Sequence, residues 1–432
     1  MPTDDHWVTG DQFGVAIPAD PAALRSGGTQ FLTNAFRASG VLAYDNAVTL
    51  IADFCDVAGG STGRKVALSV EYTRPQPDLH TDLFVKFSRD LDNPIRDRGK
   101  TQMEPEVRFA ALSRTPGFPI AVPAVLFGDY HRPSGTGLLI TERIQFDTNG
   151  IERQYHKCLD YEMPQPLEHY RALLTALARL AGAHRSGLLP TEETVHFPLD
   201  VQAATVGERT PLSADKLERR LNQLAEFVHT GLLPADVGSA EFMARLREDV
   251  PRIAQHESAI TRQLAADTDY VALCHWNANI DNAWFWRDTD DSLRCGLLDW
   301  GCVSQMNVGM AIWGAMSGAE TDLWNMHLDE LLELFAAEVR SCGGPKLDPA
   351  RLRRHTLLYA AAMGVAWLLD VPALIGKRYE TTPSSRKDPR IRDDESVRAP
   401  LQMLSNLLHA WQRYRIGDLL DAALAENGAD LA

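Results

Sequence analysis

Between Tyr270 and Cys302 the chain sets three short apolar runs, Val271 to Cys274, Trp284 to Trp286 and Leu297 to Leu298, around two clusters of acids and amides. Runs this short, bounded by polar residues, are strand signals. Asp288 to Ser292 can close a hairpin between the second and third. A fold that accommodates this stretch has strand ends delivering His275-Trp276-Asn277-Ala278-Asn279-Ile280-Asp281-Asn282 and Asp299-Trp300-Gly301 to one cleft. Asn282 offers an amide oxygen and Asp299 a carboxylate, hard ligands that suit Mg2+, which binds through one or two such groups together with phosphate oxygens and water.

A lysine on an apolar strand adds a second constraint. In Asp82 to Phe87, Leu83, Val85 and Phe87 share one face while Phe84 and Lys86 share the other. Burying an ammonium is expensive unless it is paired, so this is either an edge strand with Lys86 in water or a strand followed by an acid that meets it. The next segment supplies one. Pro105 fits only the first turn of a helix. A helix starting near Glu104 then puts Glu106, Phe109 and Ala110 on one face. Glu106 is the expected partner and Glu104 the alternative. Upstream, Gly59-Gly60-Ser61-Thr62-Gly63 precedes a strand in which Val66, Leu68, Val70 and Tyr72 alternate with Ala67, Ser69 and Glu71. Such a turn can be a plain hairpin connection or can aim backbone N–H groups at phosphate. Ala121 to Phe127 and Gly137 to Ile144 read as two more strands of the same small sheet.

Past about residue 150 the apolar period becomes helical. Leu167, Tyr170, Leu173, Leu174, Leu177, Leu180, Ala181 and His184 follow one stripe, on which His184 is expected to be a core histidine bonded to backbone. Helices are expected over 213–232, 239–250, 253–266, 307–317, 322–342, 348–370 and 397–426. Residues 379–400 have almost no apolar side chains and are expected to form a mobile surface loop.

The spacing of His275, Asn282 and Asp299 resembles the kinase catalytic loop followed by its metal-binding aspartate. It looks in particular like the aminoglycoside phosphotransferase and choline-kinase-like family, in which the second motif tends to read Asp-Trp, as Asp299-Trp300 does. The resemblance implies an α+β, two-lobed protein-kinase-like fold with a small antiparallel-sheet N-lobe over 51–145 and a larger, mainly helical C-lobe over 146–432. Residues 1–50 are then an extension. It implies ATP and Mg2+ as cofactors, with Gly60, Ser61, Thr62, Gly63, Lys86, Glu106 and Glu142 around the nucleotide and Asn282 and Asp299 on the metal. Thr141 to Ile144 would be the hinge whose backbone binds adenine, and residues 189–269 would line a small-molecule pocket. Two positions depart from the pattern: Asn277 stands where the family places the aspartate that receives the substrate's proton, and Trp276 where it usually has glycine. An amide cannot take a proton at neutral pH, although it can orient a hydroxyl. Asp281, in the same loop, is the candidate replacement base beside His275 and Asn277.

Composition narrows the partners. A net charge of −15 argues against nucleic acid. No stretch reads as a membrane span and the N-terminus has no targeting pattern, so the expected compartment is the cytoplasm. The six cysteines show no Cys-x-x-Cys pair and read as reduced, mostly core thiols. Two functions fit. One is an ATP- and Mg2+-dependent phosphotransferase acting on a small hydroxyl- or amino-bearing molecule. The other is a pseudokinase, a nucleotide-binding protein that serves as a binding module.

Overall fold

A short hairpin, β1 (Trp7–Thr9) and β2 (Ala16–Pro18), leads into helix α1 (Pro21–Ala38), whose start is fixed by Asp20 accepting the N–H groups of Ala22 and Ala23 and by Pro21 in the first turn. This is a computed structural model, and it describes residues 6–60, 62–199 and 212–429. Strands β3 (Val48–Asp56), β4 (Arg64–Tyr72) and β5 (Asp82–Phe87) follow, then helices α2 (Pro94–Asp97) and α3 (Met103–Leu112), then β6 (Val125–His131) and β7 (Thr136–Glu142). The five longer strands form one antiparallel sheet in the order β3-β4-β5-β7-β6.

The alternation seen in sequence sorts this sheet into two faces. Val66, Leu68, Val70, Leu83, Val85, Phe87, Leu138 and Ile140 pack with Leu24, Phe31, Leu32 and Phe36 of α1. On the opposite face Met103, Val107 and Ala110 of α3 pack with Tyr130 and Leu139. Fully burying one such side chain contributes about 1.5–3 kcal/mol. The large α1 face therefore carries the core, and the smaller α3 face leaves room for charge. Leu139 pairs with Lys86 in register, so Lys86 projects on the α3 side. Helix α1 completes the main core. Its apolar stripe is interrupted by Gly27 and by Gly28, where the helix kinks (φ 55°, ψ −148°), and this obscures the period.

The chain divides into two units. The first takes Met1–Asn149 with Leu189–His196 and Gly296–Val303, and the second takes Gly150–Leu188, Phe197–Cys295 and Ser304–Ala432. The second is mainly helical. Helix α4 (Pro166–Arg185) buries the expected stripe and packs along the helix Thr321–Ser341. His184 differs from expectation: its Nδ1 is buried with no hydrogen-bond partner, and burial lowers its pKa to about 4. Strands β8 (Val271–His275), β9 (Ala283–Arg287), β10 (Leu293–Leu297) and β11 (Val303–Asn307) form two pairs, β8 with β11 and β9 with β10.

Several helix boundaries differ from those expected. The segments 239–250 and 253–266 are one helix, Ala240–Ala266, running through Pro251. A proline inside a helix costs about 3 kcal/mol locally. Here Phe242, Leu246, Val250, Ile253, Ile260 and Leu264 stay in phase across it, and their burial outweighs that cost. The segment 397–426 is instead two helices, Glu395–Tyr414 and Ile416–Ala429, broken at Arg415 in a left-handed conformation. Within 379–400, Pro389–Arg392 and the start of Glu395–Tyr414 are helical, nucleated by Asp388 and Asp394 caps and anchored by the buried Ile391 and Val397. Of the cysteines only Cys158, Cys274 and Cys295 are buried, while Cys55 and Cys302 are exposed. One stretch, Pro349–Arg378, does have the length and apolar composition of a membrane span, but 78% of its most apolar window is buried inside the protein, as in a core helix.

Candidate functional site

In the first unit the lysine of β5 has found its acid. Lys86 Nζ lies 2.6 Å from Glu106 Oε1 and 2.6 Å from Asp299 Oδ1. Burial alone would push the ammonium's pKa down, but the charges of Glu106 and Asp299 outweigh it and hold the pKa above its ordinary value. Glu106 rather than Glu104 is the partner because it lies on the buried face of α3 with Phe109. Glu104 turns outward to Arg108 and Arg132. Asp299 is brought in by its neighbour. Trp300 stacks on Phe109 at 3.7 Å between ring centroids, its backbone N–H donates to Glu106 Oε1 at 3.2 Å, and its indole N–H donates to the carbonyl of Leu297. With Trp300 fixed in this way, Asp299 adopts φ 59°, ψ 64°, a left-handed conformation that Asp tolerates better than most residues.

The glycine turn joins β3 to β4. Ser61 lies outside the described residues. A Cβ at Gly63, whose φ is 54°, would sit 1.8 Å from the carbonyl oxygen of Phe87, so the turn closes onto the end of the lysine strand only with glycine there. Arg96 fastens the turn by donating to the carbonyls of Gly59, Thr62 and Gly63. Glu142 is engaged in structure: Oε1 accepts the N–H of Ala124, Oε2 lies 3.1 Å from His80 Nδ1, and the N–H groups of Glu142 and Arg143 bond to Ala124 and Asp82. Sequence reasoning passed over Lys65. It sits directly opposite Lys86 in the β4–β5 register, a position that becomes legible only once the strand pairing is known.

The second constellation, in the second unit, is built from amides. His275 ends β8, and its Nδ1 accepts the N–H of Asn277. Asn277 Oδ1 accepts from Asn279 Nδ2 at 2.7 Å, and Asn282 Nδ2 donates to the Asn277 carbonyl at 2.8 Å. The oxygen that would orient a hydroxyl is therefore already bonded, while the Asn282 amide spends its NH2 internally and keeps its oxygen as a hard ligand. Asp281 has one oxygen 3.5 Å from Lys157 Nζ and the other buried without a partner; burial raises its pKa. Trp276, at the family's glycine position, is accommodated by Gly314, where a Cβ would sit 1.7 Å from the Trp276 carbonyl oxygen, and its indole N–H donates to Tyr359 Oη at 2.7 Å.

Each unit carries an oxygen donor of the type a hard divalent cation takes. In the first, Asp299 remains 43% exposed beside Lys86; in the second, Asn282 keeps its amide oxygen. Among the described residues there is no group of three or more His, Cys, Asp or Glu side chains placed to hold a metal by themselves.

No family model and no curated protein matches the sequence. Among solved structures the chain is similar to a type I macrolide 2'-phosphotransferase, at 16% identity over 82% of this chain and 92% of that one, with a TM-score of 0.38. It is similar to an ethanolamine kinase of Plasmodium vivax, at 11% identity over 84% and 83%, with a TM-score of 0.41. A microcompartment-associated aminopropanol kinase is similar at 14% identity over 90% and 99%, with a TM-score of 0.40. These proteins are named as kinases of small molecules, the group that the sequence motifs resemble.

Proposed function

We propose that the chain is an ATP- and Mg2+-dependent phosphotransferase acting on a small hydroxyl- or amino-bearing molecule. The observation that carries this reading is the clamp on Lys86. An ammonium has three N–H donors. Glu106 and Asp299 take two at 2.6 Å each, which leaves the third for a phosphate oxygen. The exposed side of Asp299 would take part in holding Mg2+, which when bound neutralises charge on the phosphates, and the amide oxygen of Asn282 in the other unit is a donor of the same hard type. In the reaction a bond forms between the acceptor's oxygen or nitrogen and the terminal phosphorus. The bond to the ADP oxygen breaks, and the acceptor's proton must go to a base. Asn277 cannot take it. Asp281, with a partnerless oxygen and a raised pKa, is the carboxylate of that loop to which we assign the role.

One observation favours a second reading, a nucleotide-binding module without transfer. Asn277 cannot remove a proton, and one lone pair of its Oδ1 is already committed to Asn279, so the family's base position offers a hydroxyl orientation at most. Both readings require nucleotide binding. Thermal shift and calorimetric titration with ATP, with and without Mg2+, on the wild type and Asp299→Ala test that requirement. ATP at a hundredfold excess over Kd stabilises the folded state by about 2.7 kcal/mol, an upward shift in melting temperature that should need Mg2+ and vanish in Asp299→Ala. No response of the wild type to nucleotide or metal would rule out both readings.

A further inference from the structure

We infer that Lys65 is a second phosphate ligand, and that Lys65 and Lys86 together grip a polyphosphate, Lys65 from beneath the glycine turn and Lys86 from between Glu106 and Asp299. The inference rests on the nucleotide-binding reading above and adds a residue that the family pattern does not supply.

The register places Lys65 directly opposite Lys86 on neighbouring strands. Directly opposed residues share a face of the sheet, and like charges so placed destabilise it. Lys86 is neutralised by two carboxylates at 2.6 Å. Lys65 is half-buried, and among the described residues no carboxylate forms an ion pair with it, since Glu106 and Asp299 are both bonded to Lys86. Burial pushes its pKa down, Asp299 opposes that, and the neighbouring Lys86 adds to it. A half-buried cation held against a second cation is the signature of a site that an anion completes.

The position of the ammonium names the anion's class. A Cβ on Gly60 would lie 2.3 Å from Lys65 Nζ, so the lysine tip lies directly against the turn. Gly59 and Gly60 have φ of 103° and 78°, and Arg96 adds a third cation behind the turn through its bond to Gly63. A single phosphate can be served by one ammonium. Two ammonium groups on adjacent strands beneath one turn fit a chain of phosphates, a nucleoside di- or triphosphate rather than a monophosphate.

Calorimetric titration of the full chain with inorganic tripolyphosphate, ATP and AMP, each with Mg2+, tests this on the wild type, Lys65→Met and Lys65→Arg. Lys65→Met should weaken tripolyphosphate and ATP by about tenfold to a hundredfold, the range of one charge-assisted hydrogen bond, and leave AMP nearly unchanged. Lys65→Arg should restore most of the loss. The ligand-free melting temperature of Lys65→Met should stay level or rise as the repulsion with Lys86 is relieved; a fall, with ATP affinity intact, would mean that Lys65 is structural and overturn the inference. If the wild type and Lys65→Met bind ATP equally, the inference falls and the nucleotide reading stands. If the wild type binds tripolyphosphate through Lys65 but not ATP, the nucleotide reading falls and takes with it the assignment of a nucleoside polyphosphate. If it binds neither, both fall.

Discussion

The Lys86–Glu106–Asp299 cluster and the 275–282 loop are made of opposite materials. The first is charge held by charge, with the lysine at 2.6 Å from each of two carboxylates. The second is amide held by amide, with Asn277, Asn279 and Asn282 bonded to one another. Charge fixes phosphates and metal by strong, long-range forces. Amides hold a loop in shape but move no proton. On the proposed function, the contrast separates two tasks that a phosphotransferase combines: the charged cluster would hold the donor, while the amide loop lacks the group that would activate the acceptor.

The largest expected effect comes from restoring the missing acid. Asn277→Asp should raise turnover, by up to about 10² to 10⁴ where Asp281 contributes little as a base, in a steady-state assay that scans small alcohols and amines as acceptors with Mg2+–ATP. In the same assay Asp281→Asn should slow the wild-type enzyme; unchanged turnover would remove Asp281 from the role of base. Activity that ignores both substitutions would mean that the amide loop is not where the acceptor reacts. Next in size is the charged cluster. Glu106→Gln leaves Lys86 with one carboxylate, and breaking a buried ion pair costs about 3–5 kcal/mol. The expected result is a lower melting temperature together with weaker ATP binding; loss of neither would show the clamp to be ornamental.

The smallest effect concerns how the second unit keeps an acid in its interior. Where Glu106 is paired, Asp160 is left protonated: burial raises its pKa to about 7, against the hydrogen bond from Tyr170. Because the folded pKa lies above the ordinary 3.8, this carboxyl's contribution to stability is full below pH 3.8 and is lost as pH rises through 7. An Asp160→Asn protein should therefore gain on the wild type by a few degrees in melting temperature between about pH 4 and pH 8. A difference that stays flat across that range would show that Asp160 does not titrate in the folded state.

What could be read in the sequence follows the same division. Lys86 and Glu106 were legible because strand alternation and a proline-started helix fix which way a side chain points. The glycine turn was legible as a turn, but Lys65 beside it was not, since its meaning depends on which residue lies opposite. The Asn277–Asn279 bond was equally hidden, because spacing says where amides occur and not which of their atoms are already spent. Helix ends misled where tertiary burial overrode a local signal, as at Pro251.

The segment Gly296–Val303 belongs to the first unit although most of its sequence neighbours belong to the second. Lys86 and Asp299 are 213 residues apart. On the ribosome, the sheet and α3 emerge long before the tryptophan that covers Phe109 and the carboxylate that completes the lysine's clamp. At the pace of synthesis, about 5–20 residues per second, the first unit waits on the order of 10 to 40 seconds for its last piece. The clamp on Lys86 is therefore completed only after about half of the helical unit has been made, and a chain halted midway carries the lysine and the glutamate without the aspartate that completes their cluster.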